Sequence, residues 1–126
     1  MTKTTLTLDM KLPGTNQVIK TCKSSPIGYA DDKKRHTKNV VQALIQGGCV
    51  PKKPYEHIRV NYVFNESGNP RDPDNVLMAM KYIHDAFICV GIVDDDVMWH
   101  ISIGSIGMTA GNQKTSIEVS WEVCDR

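Results

Sequence analysis

YEHIRVNYVFN, residues 55–65, decides how this chain folds. Ile58, Val60, Tyr62 and Phe64 recur at every second position, with Arg59, Asn61 and Val63 between them. Such alternation predicts a strand that buries one face and turns the other to water. Downstream, ESGNPRDPDN (66–75) carries two prolines and reads as a loop. Val76, Leu77, Met80, Ile83, Phe87 and Val90 follow at helical spacing, which predicts a helix from about 75 to 89, ended by Gly91. Two more strands are expected near 97–104 and 115–123, joined by a turn at Gly111-Asn112.

Upstream, TTLTLDMKL (4–12) alternates as a strand should and stops at Pro13-Gly14. Residues 13–30, rich in Gly, Pro, Ser, Thr and Asn, read as a loop. Asp31 and Asp32 are candidate caps for a helix reaching about Gln46, with Val40, Val41, Leu44 and Ile45 as its apolar face. The order β-α-β-α-β-β predicts one compact α/β domain over residues 1–126, a small mixed sheet with two helices.

A chain of 126 residues supports one core. A mean hydropathy of −0.30 fits a soluble globular protein. No apolar run approaches the roughly 18 residues that span a bilayer, and MTKTTLTLDMKL holds no signal-peptide core. The expectation is a cytoplasmic protein with no membrane partner. Cys22, Cys49, Cys89 and Cys124 lie far apart and read as reduced thiols, without the paired spacing of a zinc module.

The charge is unevenly spread. Residues 1–60 carry a balance of +7 and residues 61–126 a balance of −6. That suits a protein that grips a polyanion and holds a cation beside it, although two solvated faces attracting each other would have the same pattern. Lys33, Lys34, Arg35 and Lys38 fall in the first two turns of the helix expected from Asp31, the end where the macrodipole disfavours cations. Their placement there suggests a task beyond stability.

The acidic half is concentrated in two bursts, Asp72 and Asp74 in RDPDN and then Asp94, Asp95 and Asp96. Clustered carboxylates repel unless protons or a cation relieve them, and Mg²⁺ prefers such oxygen ligands. Other readings are open. Asp74 could cap the following helix, worth about 1 kcal/mol, and the triple aspartate could be a solvated turn. In extended backbone Asp94 and Asp96 share one side and Asp95 faces the other. Lys81, seven residues past Asp74, lies two turns along nearly the same helical face, yet Asp85 offers it an ordinary surface ion pair. His36, His57, His84 and His100 are scattered, and Trp99 and Trp121 are expected in the core or an interface.

RDPDN (71–75), KYIHDAF (81–87) and GIVDDD (91–96), in this order, resemble the RusA family of Holliday-junction resolvases. The family pattern runs D-x-D-N, then K-x-x-x-D-A-L, then G-hydrophobic-hydrophobic-x-D-D. The likeness is densest over residues 59–103, and LPGTNQ (12–17) is similar to the opening of many phage members. It implies a homodimer that hydrolyses phosphodiesters of a four-way DNA junction with Mg²⁺, or alternatively Mn²⁺, in a bacterial or phage-infected cell. By position, Asp72, Asp74 and Asp96 match the metal-binding catalytic carboxylates, Asp95 their neighbour, and Lys81 the catalytic lysine. Lys33, Lys34, Arg35, Lys38, Lys52, Lys53 and Arg71 would then contact DNA phosphates. One spacing departs from the pattern: the gap from DN to lysine is about three residues longer, a shift of about 4.5 Å and about 60° along a helix. Either the extra residues lengthen the loop before the helix, the favoured reading, or Lys81 is misaimed. The alternative function is a structure-selective DNA-binding protein of the same fold that does not cut.

Overall fold

A computed structural model describes residues 3–68, 70–95, 97–111 and 113–124. The chain runs β1 (Lys3–Leu8), α1 (Thr15–Ser24), α2 (Pro26–Gln46), β2 (Ile58–Ser67), α3 (Pro73–Val76), α4 (Ala79–Cys89), β3 (Ile101–Gly111) and β4 (Ser116–Val123). The strands form one mixed sheet in the order β1-β4-β2-β3. β2 pairs parallel with β3 through the α3–α4 crossover, while β4 runs antiparallel to β1 and β2. This is the expected α/β domain, with α1 and α3 added as short neighbours of the two main helices.

The alternation of β2 sets the core. Ile58, Val60, Tyr62 and Phe64 are buried with Val40 and Leu44 of α2 and Tyr82, Ile83, Ala86 and Phe87 of α4. Phe87 meets Trp121 of β4 at 5.0 Å between ring centroids. Each fully buried side chain of this size contributes about 1.5–3 kcal/mol. The opposite face of β2 carries Arg59, Asn61 and Asn65; the two asparagines are tied to neighbouring strands by side-chain bonds such as Asn65 Nδ2 to Ser116 Oγ at 3.1 Å. A half-solvated mixed sheet tolerates such a face.

Several expectations are corrected. Residues 15–24 are helix rather than loop, and α2 starts at Pro26 rather than near Asp31. Its cap is Ser25, whose Oγ accepts from Gly28 N at 3.0 Å, with Pro26 in the first turn. Lys33, Lys34, Arg35 and Lys38 therefore sit in the middle of a 21-residue helix, and the macrodipole argument does not apply to them. The expected helix over 75–89 is broken: Met80 N and Lys81 N donate to Leu77 O and Met78 O in tight three-residue turns between α3 and α4. Residues 97–100 form a turn, which leaves Trp99 64% exposed, whereas Trp121 is core. Strand β3 begins only at Ile101 and extends to Gly111 because β2 offers pairing partners as far as Ser67.

Candidate functional site

The RDPDN loop is held by its own side chains. Arg71 Nε donates to Glu66 Oε1 at 2.7 Å and Nη2 to Glu66 Oε2 at 3.1 Å, while Nη1 donates to Leu12 O at 2.9 Å. This bidentate pair pins the loop to the end of β2 and to the segment after β1. The Arg71 guanidinium holds the Glu66 carboxyl below the usual carboxylate range. On the other flank, Asn16 N donates to Asn75 Oδ1 at 3.0 Å, joining the loop to α1. Gly14 makes that joint fit, because a Cβ there would lie 2.3 Å from Asn75 Oδ1.

Between these two clamps stand Asp72 and Asp74, both exposed. Asp72, not Asp74, is the cap residue of α3, with φ −61° and ψ 146°, and its side chain makes no capping hydrogen bond. Pro73 accounts for that geometry, since it fixes its own φ and pushes the preceding residue to extended backbone. The capping alternative therefore does not consume either carboxylate.

The second burst is anchored differently. Gly91 turns the chain out of α4 at φ 78°, a conformation that favours glycine. Ile92 and Val93 are then fully buried, with Ile92 N bonded to Phe87 O at 2.9 Å and Tyr55 N to Ile92 O at 2.8 Å. Asp94 and Asp95 emerge exposed; Asp96 lies outside the described residues. His57 and His100 stitch the following turn to the start of β2: His57 Nδ1 donates to Trp99 O at 2.8 Å and His100 Nδ1 to Glu56 O at 2.7 Å. His84 pairs with Tyr62 OH and His36 with Asp32.

These anchors keep Asp72 and Asp74 apart from Asp94 and Asp95 within one chain. The parallel pairing of β2 and β3 places the RDPDN loop at the far end of both strands and the GIVDD segment at their start. Between them lie α4, 11 residues and about 16 Å long, and β2, 10 residues and about 30 Å. Among the described residues no group of three or more His, Cys, Asp or Glu side chains is arranged to hold a metal ion. The donor chemistry at Asp72 and Asp74 still fits Mg²⁺, which is commonly bound by one or two carboxylates with substrate phosphates completing its shell.

Lys81 is exposed on α4, with Nζ 3.1 Å from Asp85 Oδ1, and Lys33 of α2 reaches the same carboxylate at 3.5 Å. Arg35 is paired with Asp32. Lys34 and Lys38 are exposed on α2, and Lys52 and Lys53 in the segment before β2. Glu66 and Asn75 were not singled out from the sequence as parts of the site. A signal for Glu66 exists, because continuing the β2 alternation past Phe64 puts it on the buried face, where a carboxylate needs a partner. Among the described residues no helix is long and apolar enough to cross a membrane. Compared with protein-family models and with curated proteins, the chain matches none.

Proposed function

We propose that this chain is a metal-dependent endodeoxyribonuclease that resolves four-way DNA junctions in recombination and repair, as its resemblance to the RusA family implies. The observation that carries the reading is the pair Asp72 and Asp74: exposed, free of capping duty, and braced by Arg71 and Asn75. Two braced carboxylates are the ligands Mg²⁺ or Mn²⁺ would take beside a DNA phosphate. Bound there, the ion would activate water and offset charge on the phosphate in the transition state. Lys81 is assigned the cation beside the scissile phosphate. Lys33, Lys34, Arg35, Lys38, Lys52 and Lys53 would hold the backbone without reading sequence.

Homodimerisation belongs to the same proposal. With Asp94 and Asp95 at the opposite end of α4, a site that joined them to Asp72 and Asp74 would draw them from a second copy of the chain. The outer strand β3 leaves Ile103, Ile106 and Met108 part-exposed, an edge that such a copy would cover. The setting is the cytoplasm of a bacterial or phage-infected cell.

The test is a labelled four-way junction incubated with Mg²⁺ and either wild type or Asp74→Asn. Paired symmetric nicks from wild type, reduced roughly 10²-fold in the variant, support the reading. The Lys81–Asp85 ion pair favours a second reading, a structure-selective DNA-binding protein without catalysis. Junction binding with no cleavage in Mg²⁺ or Mn²⁺ would select it. No binding at low salt would sink both.

A further inference from the structure

Beside the aspartate loop lies a pocket of about 470 Å³. Arg71 and Asn75 form one wall, so the pocket shares its boundary with the residues that flank Asp72 and Asp74. Lys11 and Gln17 come from the segment after β1 and from α1, and Arg35 and His36 from α2. Among the described residues Lys11, Arg35 and Arg71 line this cavity with one carboxylate, Asp32; Arg35 is paired with Asp32 and Arg71 with Glu66, so Lys11 is the lining cation outside those two pairs. The Asp32 carboxylate is itself held by Arg35 and His36. Behind the wall, Glu66 is occupied by Arg71.

The lining names the ligand chemistry. Ammonium and guanidinium groups supply charge, and the amides of Gln17 and Asn75 supply neutral hydrogen-bonding groups. Leu12 and Pro13 add apolar surface beside these polar groups. Lys11, Gln17 and Arg35 are exposed, so a ligand arriving from solvent meets them without a rearrangement of the core. Because Arg71 and Asn75 border both, a strand bound at Asp72 and Asp74 runs next to this pocket.

We infer that this pocket receives a backbone phosphate flanking the one cleaved, and so sets the register of the strand on the aspartates. The inference rests on the nuclease reading. Lys11 is its most informative residue. It is exposed, and it comes from a segment distant in sequence from the aspartate loop, yet it lies close enough to Glu66 to help hold that carboxyl down.

The experiment measures junction affinity by fluorescence anisotropy across a salt series in EDTA, which withholds metal and prevents cutting. Wild type, Lys11→Gln, Gln17→Ala and the remote control Lys114→Gln are compared after melting temperatures show all four folded. Loss of one phosphate contact makes the slope of log K against log [salt] shallower by about 0.9. That change is expected for Lys11→Gln and not for Lys114→Gln, with Gln17→Ala weaker at every salt but unchanged in slope. A wild type that binds the junction while Lys11→Gln keeps its slope overturns the pocket and leaves the nuclease reading standing. A wild type that binds no junction at low salt overturns the nuclease reading itself, and the assignment of the pocket with it.

Discussion

The two aspartate runs of this chain are presented to solvent by opposite physical means. RDPDN is clamped by polar side chains, with Arg71 on Glu66 and Leu12, and Asn75 on Asn16. GIVDD is clamped by burial, with Ile92 and Val93 sunk in the core and backbone bonds to Phe87 and Tyr55. Polar clamps are sensitive to charge and pH; apolar ones are sensitive to volume. Exposed carboxylates at both ends are thus held by supports that separate perturbations can remove.

The strongest way to break the comparison is to ask whether the two ends ever act on one phosphate. Asp74→Asn and Asp96→Asn are each expected to be inactive as homodimers. If the site joins the two runs across a dimer, mixing the variants under exchange leaves about one site in four intact, and single nicks appear without paired resolution. If both runs served one site within a chain, every site in the mixture would carry one substitution, and no nicks would return.

Next in size are the supports themselves. Arg71→Ala strands a nearly buried carboxylate, Glu66, and is expected to cost about 3 kcal/mol, read by denaturant unfolding. Ile92→Ala leaves a cavity and is expected to cost a similar amount, about 3 kcal/mol. Hydrogen exchange separates the two. Arg71→Ala should speed exchange around residues 70–76 and spare 92–95, with the reverse for Ile92→Ala. Equal exchange profiles would mean that the ends are not independently held.

The smallest effect is in acid. Arg71 depresses the Glu66 carboxyl in the folded protein, so the pair's stabilisation is fully present above the ordinary carboxylate value. It is lost as pH falls through the depressed native value. Wild type should therefore lose melting temperature at low pH more steeply than Glu66→Gln. Parallel curves would show that the pair does not contribute.

What was legible in the sequence follows the local rules closely. β2 shows its buried face by alternation, the α4 apolar positions fall at helical spacing, and Gly91 marks the turn that ends it. Helix α1 was not legible because none of its residues is buried and its composition is that of a loop; its packing on α2 and the Asn16–Asn75 bond hold it. The start of α2 did have a local signal, Ser25-Pro26, overshadowed by the paired aspartates that follow. The full length of β3 was hidden by three glycines, and pairing with β2 decides it.

For the candidate site the same division holds. Residue type and spacing alone marked Asp72 and Asp74 as a carboxylate pair beside a proline-bent helix start, and marked a second acidic run after α4. These are properties of neighbours along the chain. The clamp on the first run, through contacts 59 residues apart in sequence, and the pocket beside it exist only when the segment after β1, α1, α2 and the loop meet. The separation of the two runs was likewise decided by the tertiary structure. A parallel β2–β3 pair forces the chain to travel the length of α4 between them, and no local rule of periodicity carries that distance.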